Sequence, residues 1–333
     1  MANPEHGNQT SDTEFILLGF GDLPELQLLL FLLFLPLLFL LFLVICVLTI
    51  AGNLLIVVLV VADQHLHIPM YFFLGNLSCL EICYTSNILP RMLANFLTGD
   101  RTISFNGCLT QYYFFGCLAA AECYLLAAMS YDRYLAICKP LHYGALMNGR
   151  LCLQLATVSW VSGFLANTIL TFFISNLIFC GPNEIDHFFC DSFPMVKLSC
   201  SDTHLAGLLT SIVACLCSLP PFLLTVTSYI YIITSILRIP SSTGRKKAFS
   251  ICSSHLIVVT VFYGSILIVY VLPHSNRLKD FNKFFSIFYT ILTPMVNPLI
   301  YSLRNKEVKE ALRKAFNKCM DFKTLQKIQI ASS

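Results

Sequence analysis

Several charged side chains stand inside long apolar stretches of the sequence, where an ionised group is costly. The important ones are Glu81, Glu122, Asp132 and Arg133. Such groups usually face the interior of a helix bundle, where they pair with one another or mark an ion or proton path, so each is a candidate functional residue. Because Arg133 can pair with the adjacent Asp132 or reach other groups, this pair has the chemistry of a switch.

The cysteines outside the apolar stretches have the chemistry of disulfides. Cys108 opens the third stretch, and Cys180, Cys190 and Cys200 lie in the long loop before the fifth. Two disulfides are therefore predicted, although four cysteines allow three pairings. The nearby segment His187–Asp191 is not predicted to bind a metal, because a cysteine held in a disulfide is not a free thiolate ligand.

One glycosylation site is predicted at Asn8, which begins the sequon Asn8-Gln9-Thr10 near the amino terminus. A second sequon begins at Asn76, but it lies inside an apolar stretch and is not expected to be modified.

The elements that position these groups are membrane-spanning helices. Hydrophobic residues make up 56% of the 333 residues and charged residues 12%, which is far from the composition of a soluble domain. Apolar runs of about 20 residues are long enough to span a bilayer as helices, and strands are not expected. The fold class predicted is an all-α membrane protein, a seven-helix transmembrane bundle, with runs at Leu28–Ala62, Met70–Phe96, Cys108–Cys138, Leu151–Ile178, Leu205–Leu237, Ala248–Leu272 and Phe281–Leu303.

The distribution of Lys and Arg predicts the orientation, because basic residues near span ends stay in the cytoplasm. With the amino terminus outside, fifteen of the 21 fall on the cytoplasmic side. We therefore expect an extracellular segment (1–27), a bundle (28–303) and a cytoplasmic tail (304–333). The first span is interpreted as a retained signal anchor, and helical spacing over Asn305–Met320 predicts an amphipathic helix along the inner leaflet. Cys319 near its end is a candidate for palmitoylation, or is a plain interfacial thiol.

Five motifs, in order along the chain, resemble those of the olfactory receptors, which are rhodopsin-like G-protein-coupled receptors. The signature MSYDRYLAICKPLHY spans Met129–Tyr143, and PMYFFL spans Pro69–Leu74. The others are Ser228-Tyr229, KAFSICSSHL at Lys247–Leu256 and PMVNPLIYSLRN at Pro294–Asn305. The resemblance covers nearly the whole chain and implies an odorant receptor of the plasma membrane that activates a stimulatory, olfactory-type G protein and raises cyclic AMP.

The resemblance also implies the roles of particular residues. It pairs Cys108 with Cys190 and Cys180 with Cys200. It assigns the coupling switch to Asp132, Arg133, Tyr134, Tyr229, His255, Asn297, Pro298 and Tyr301. It places the ligand between the outer halves of the third, fifth, sixth and seventh helices, lined by Phe115, Gly116, Ala119, Ala120, Val213, Ala214, Cys217, Tyr263, Leu267, Tyr270, Ile287 and Thr290. On the sixth helix, helical spacing allows either Ile266 or Leu267 to share the inward face with Tyr263 and Tyr270.

Because this set contains no Asp, Glu, Lys or Arg, the expected ligand is small, neutral and mostly apolar. Tyr263, Tyr270 or Thr290 would supply one or two orienting hydrogen bonds to its hydroxyl or carbonyl group. The expected partners are this odorant, a heterotrimeric G protein and the lipid membrane, with no nucleic acid.

Two features depart from the family pattern. The leucine-rich first span is longer than usual, which leaves its start undefined. Glu81 stands where many rhodopsin-like receptors carry Asp, and with Glu122 and Asn297 it could form a polar cluster that binds sodium, shares a proton or is simply a protonated, hydrogen-bonded pair. Sodium is the one candidate cofactor.

The alternative function is a transporter or ion channel that uses Glu81 and Glu122, but no internal repeat or ring of charge supports it. An enzyme is not expected, because no nucleophile with a neighbouring base appears. Retinal is excluded because the seventh span has only Lys283 at its outer edge and Ile291 at the opsin-like position. Amines are not expected, because Phe115 stands where amine receptors carry Asp.

Overall fold

A computed structural model describes residues 14–19, 25–179, 183–201, 203–271, 279–304, 307–314 and 317; side chains are left undescribed at 25–35, 247, 251, 279–280 and 301–304. Its long helices are α1 (Glu25–Ala62), α2 (Pro69–Thr98), α3 (Phe105–Cys138), α4 (Gly149–Ser175), α5 (His204–Leu237) and α6 (Ser242–Tyr270). The seventh, α7, runs through Lys279–Ile287, a π-helical turn at Phe288–Leu292 and Thr293–Arg304. The seven predicted spans therefore all appear as helices, in the predicted order.

Five of the described helical stretches are individually long and apolar enough to cross a membrane: Pro36–Ala62, α3, α4, α5 and α6. The other two differ for physical reasons. α2 carries the charged residues Glu81 and Arg91 and several polar side chains among its apolar ones, and α7 is divided by its π-helical turn, where Thr293 donates to the carbonyl of Phe288, five residues earlier, at 2.9 Å.

Apolar side chains cover the outside of the bundle. Leu40 on α1, Leu165 on α4 and Leu216 on α5 are 54%, 63% and 60% exposed. Such exposure would be unfavourable in water but suits contact with lipid tails. α3 is the most enclosed of the spanning helices and packs against α2, α4, α5 and α6. It is therefore the helix that a ligand-binding or switching site would be built around.

A glycine lets α3 and α4 come very close together. A Cβ atom added at Gly163 would lie 2.4 Å from the carbonyl oxygen of Cys117 and 3.0 Å from the amide nitrogen of Ala121. Small residues at such crossings allow membrane helices to approach until their backbones touch.

A small sheet on the side expected to be extracellular is a correction to the purely helical expectation. β1 (Glu14–Leu17) pairs antiparallel with β2 (Thr102–Ser104) and parallel with β3 (Glu184–Ile185). Phe15 and Leu17 are buried in a cluster with Cys108 and Cys190. The amino-terminal segment is thereby packed across the outer end of α3.

After α7, residues 307–314 form a helix. Val308 and Ala311 pack against Ile56, Leu66 and neighbouring apolar residues between α1 and α2. The Tyr71 hydroxyl also donates to the Glu307 carboxylate at 2.6 Å. This helix lies within the predicted Asn305–Met320 segment, whose remaining residues, with Cys319, are outside the described part apart from 317.

Candidate functional site

An inner cavity lies in the outer half of the bundle between α3, α4, α5, α6 and the loop that follows α4. It contains about 560 Å³ of space not occupied by protein atoms, part of it open to the outside. Its lining is mostly apolar. The lining residues are Tyr112, Phe115, Gly116, Ala119, Ala120, Cys123, Asn167, Leu170, Asp191, Ser192, Thr210, Val213, Ala214, Cys217, Ser218, Ile266 and Tyr270.

Eight of the twelve predicted ligand-contacting residues line this cavity: Phe115, Gly116, Ala119, Ala120, Val213, Ala214, Cys217 and Tyr270. The residues predicted on the third and fifth helices therefore line one shared cavity. The seventh helix does not line the cavity; α4 and the loop take its place.

The other four predicted residues lie elsewhere. Tyr263 donates its hydroxyl to the carbonyl of Cys123 at 2.5 Å, and Thr290 donates to the carbonyl of Ser286 at 2.6 Å. On α6, Ile266 lines the cavity in place of Leu267, a shift of one residue that corresponds to about 100° around a helix. Ile287 does not line the cavity either.

The predicted lining contained no charged residue, but the structure places a carboxyl group, that of Asp191, at the outer end of the cavity. Asp191 is 3% exposed. Its Oδ1 accepts hydrogen bonds from the amide and hydroxyl of Ser192, at 2.7 and 3.3 Å. Its Oδ2 accepts one from the Tyr270 hydroxyl at 3.0 Å. Burial raises the pKa of Asp191 to about 6, although these hydrogen bonds act in the opposite direction.

The position of Asp191 depends on the disulfide next to it. Cys190 is bonded to Cys108 in the first turns of α3, with the two Cα atoms 5.4 Å apart. The Cys190 amide also donates to the Gln111 side chain at 2.9 Å. The pairing of Cys108 with Cys190 implied by the family resemblance is thus present, and it holds the next residue, Asp191, over the cavity. Asp191 was not among the predicted site residues, and its position directly after Cys190 is the sequence signal that could have indicated it.

The second implied disulfide is only partly visible. Cys200 is disulfide-bonded, whereas Cys180 lies outside the described residues, as does Asn8. Next to Cys200, Ser199 forms an antiparallel β-bridge with Phe179, in the segment that follows α4.

A second, more polar cavity of about 840 Å³ lies outside the inner cavity and shares Asp191 with it. We call it the vestibule; it is also lined by Glu184, Asp186, His187 and Asn282. Lys283 of α7 forms an ion pair with Asp186 at 2.6 Å. Burial, and then Lys283, lower the pKa of His187 to about 3, so its ring is neutral.

At the end of the bundle expected to be cytoplasmic, the Asp132 carboxylate contacts two side chains, those of Arg133 and Tyr143. Its Oδ2 lies 4.0 Å from Nε of Arg133, and its Oδ1 accepts a 2.7 Å hydrogen bond from the Tyr143 hydroxyl. The hydroxyl bond is the tighter contact, and Tyr143 was not among the predicted switch residues. Burial, and then Asp132, raise the pKa of Tyr143, so the phenol keeps its proton and remains a donor.

The other predicted switch residues fall into two places. Tyr229 on α5 and His255 on α6 are joined by a 2.6 Å hydrogen bond through Nδ1. Tyr134 packs against an apolar cluster that contains Tyr229, Ile232, Ile236 and Cys252. Asn297 and Pro298 lie deeper, on α7, and the side chain of Tyr301 is outside the described part.

Asn297 belongs to a buried polar cluster with the two carboxyl groups. Its amide donates to Oε1 of Glu81, and Glu122 is close enough to Glu81 for the two carboxyl groups to interact electrostatically. Asn53 joins α1 to the cluster by donating to the carbonyl of Pro294 at 3.1 Å. Within the described residues, both carboxylate oxygens of Glu122, Oε2 of Glu81 and the amide oxygens of Asn53 and Asn297 are buried without a hydrogen-bond partner.

Comparison with known proteins gives consistent matches. A family model described as "Olfactory receptor" matches residues 41–319. Olfactory receptor 11A1 of Homo sapiens is 50% identical over 308 residues, which cover 92% of this chain and 95% of that one. Olfactory receptor 5AP2 of Mus musculus is 47% identical over 310 residues, covering 93% and 95%.

Among solved structures, squid rhodopsin superposes with a TM-score of 0.63 at 18% identity, covering 83% of each chain. At this identity the likeness concerns the fold alone. It confirms the predicted seven-helix bundle.

Proposed function

This chain belongs to the olfactory receptor family of G-protein-coupled receptors, multi-pass membrane proteins and not enzymes, and on that premise we propose that it acts at the plasma membrane, where a small, mostly apolar odorant activates a stimulatory G protein and raises cyclic AMP.

The inner cavity is the observation that carries the proposal. It is enclosed by four spanning helices and a disulfide-anchored loop, and its lining is dominated by Phe115, Ala119, Val213, Ala214 and Ile266. Burial of apolar ligand surface against such a lining yields about 25 cal/mol per Å². A small volatile compound with little polar surface is the ligand that gains most from it.

Coupling is proposed to depend on Arg133 at the inner end of α3. In the described conformation Arg133 faces Asp132, and α5 is tied to α6 by the Tyr229–His255 hydrogen bond. A ligand that favours an open inner face would release these contacts and let Arg133 and Tyr229 meet the G protein. Tyr301 is proposed to take part in the same contact.

The test is cyclic AMP accumulation in cells that express the receptor, challenged with a panel of volatile compounds. We expect a response that needs the receptor and that Arg133→Ala abolishes at equal surface expression. Lys139→Ala is the matched control, because it removes a neighbouring positive charge without touching the Asp132 pair. A normal Arg133→Ala response would contradict the switch, and a response through another second messenger alone would contradict the stimulatory G protein.

We also propose that the buried cluster of Glu81, Glu122 and Asn297 holds a sodium ion. The cluster offers only oxygen ligands, which hard cations prefer, and several of them have no hydrogen-bond partner within the described residues. An ion there would offset the burial of two carboxyl groups, which is otherwise costly. Asn53 lies on the same cluster and is a further candidate ligand.

Sodium and a shared proton are distinguished by thermal unfolding of the purified receptor in equal concentrations of sodium chloride and choline chloride. Sodium binding predicts greater stability in sodium chloride, and loss of that difference in Glu122→Gln. Equal stability in both salts would favour a shared proton and contradict the sodium site.

A further inference from the structure

Three hydroxyl and amide side chains that line the inner cavity from the spanning helices already donate hydrogen bonds to backbone carbonyls. Thr210 donates to the carbonyl of Ala206 at 2.8 Å, and Ser218 donates to that of Ala214 at 2.6 Å. Asn167 donates one amide proton to the carbonyl of Gly163 at 3.0 Å. These groups therefore offer the cavity mainly oxygen lone pairs.

The outer end of the cavity is also rich in acceptors. The Tyr270 proton is directed to Asp191, and Ser192 directs its amide and hydroxyl protons to the same carboxylate. A carboxylate has about four lone-pair positions, and these bonds occupy three. Among the described residues Asp191 has no positively charged partner within ion-pair distance. A ligand that can only accept hydrogen bonds would meet a buried carboxylate with no proton to share, which is costly.

Tyr112 offers a hydroxyl proton close to these acceptors. It lines the same cavity from the outer end of α3 and is almost fully buried. Within the described part of the chain its hydroxyl has no hydrogen-bond partner, and it senses the charge of Asp191 electrostatically. The cavity thus combines unused donors, the Tyr112 hydroxyl and the second amide proton of Asn167, with an acceptor that still has capacity.

We propose that the inner cavity selects small apolar molecules that carry a hydroxyl group, with Asp191 accepting the hydroxyl proton and Tyr112 donating to the hydroxyl oxygen. A hydroxyl is the small neutral group that both donates and accepts. This inference rests on the proposed function, since it names the ligand class for the same cavity. Ketones satisfy only Tyr112, and carboxylates are repelled by Asp191.

The first experiment compares functional groups on fixed carbon skeletons, with cyclic AMP as the readout. The probes are 1-octanol, 2-octanone, octanoic acid and octylamine, and the corresponding cyclohexyl compounds. Because a hydrogen bond to a charged acceptor distinguishes the alcohols, we expect each active alcohol to be roughly tenfold more potent than its ketone, with the acids weaker still.

The second experiment changes the acceptor. Asp191→Asn keeps the size of the side chain and its ability to cap the short helix Ser192–Lys197 but adds an amide donor, so the ratio of alcohol to ketone potency should fall towards one. Asp186→Asn is the matched control, because Asp186 lines the vestibule and not the inner cavity; it should leave the ratio unchanged. Tyr112→Phe, which keeps the ring, should lower alcohol potency several-fold whether or not Asp191→Asn reaches the cell surface.

The outcomes separate the two proposals. Ketones, acids or amines that exceed the alcohols would overturn the ligand class while leaving an odorant-activated receptor. An unchanged alcohol-to-ketone ratio in Asp191→Asn, or unchanged alcohol potency in Tyr112→Phe, would overturn the assignment of these residues. No response to any compound, with the receptor at the surface, would contradict the proposed function itself and this inference with it.

Discussion

Replacing Gly163 with alanine tests how strictly the contact between α3 and α4 limits the bundle. The new Cβ would lie 2.4 Å from the carbonyl oxygen of Cys117 and 3.0 Å from the amide nitrogen of Ala121. Both are backbone atoms inside a helix, so no side-chain rotation can relieve the overlap. One helix has to move away from the other.

The size of the effect follows from two opposing contributions. Overpacking a well-packed contact costs about 1–3 kcal/mol. Alanine is favoured over glycine in a helix by about 0.5–1 kcal/mol. The free energy of unfolding should therefore fall by about 1–2 kcal/mol, which lowers the ratio of folded to unfolded receptor by a factor of about 5–30.

Thermal unfolding of the detergent-solubilised receptor, together with surface expression, measures this change. Gly207→Ala is the matched control, because an added Cβ on that α5 residue meets nothing within 4 Å. It should be neutral or slightly stabilising. If Gly163→Ala unfolds at the same temperature as Gly207→Ala, the backbone contact does not limit the packing and the reasoning is refuted.

Cys108→Ser or Cys190→Ser should abolish surface expression, because the disulfide stabilises the fold by a few kcal/mol, mainly by restricting the unfolded chain. Normal surface expression, or a peptide found by mass spectrometry in which Cys108 is joined to Cys180, would contradict this. Neutralising Arg245, Lys246 and Lys247 should weaken cyclic AMP signalling while protease protection shows unchanged orientation; inverted orientation would make the residues topogenic instead. Since the pKa of Asp191 is about 6 in the folded protein and about 3.9 unfolded, its contribution to stability is complete below pH 4 and is lost as pH rises through 6. Wild type should therefore lose about 2–3 kcal/mol of stability between those limits relative to Asp191→Asn, measured as the difference in thermal unfolding across that range; parallel pH profiles would contradict the buried carboxylate.

The spans could be predicted from the sequence because each depends on a long, local apolar run. The third run was predicted at Cys108–Cys138 and the helix is Phe105–Cys138; the fifth was predicted at Leu205–Leu237 and the helix is His204–Leu237. Bilayer thickness and the need to pair every backbone group leave little freedom in the length and type of such segments. The family motifs then indicated which ends face the G protein.

The rotation of a helix and the pairing of distant segments could not be predicted in the same way. Ile266 and Leu267 are both apolar, so composition does not say which one faces the cavity. The strands β1, β2 and β3 are two to four residues long, and their pairing joins parts of the chain more than 80 residues apart. No local periodicity in the sequence specifies such contacts.

The location of the groups proposed to select the ligand has a physical cause in the membrane environment. Inside a spanning helix, a hydroxyl or amide side chain can satisfy its donor on a carbonyl one turn earlier, as Thr210, Ser218 and Asn167 do. Such side chains contribute little to choosing among polar ligands. Asp191 lies in a loop, and its carboxylate has no proton to donate, so it keeps acceptor capacity beyond its hydrogen bonds from Ser192 and Tyr270. The disulfide between Cys108 and Cys190 therefore does more than stabilise the fold, because it holds Asp191 at the outer end of the cavity, where we propose that it selects the ligand.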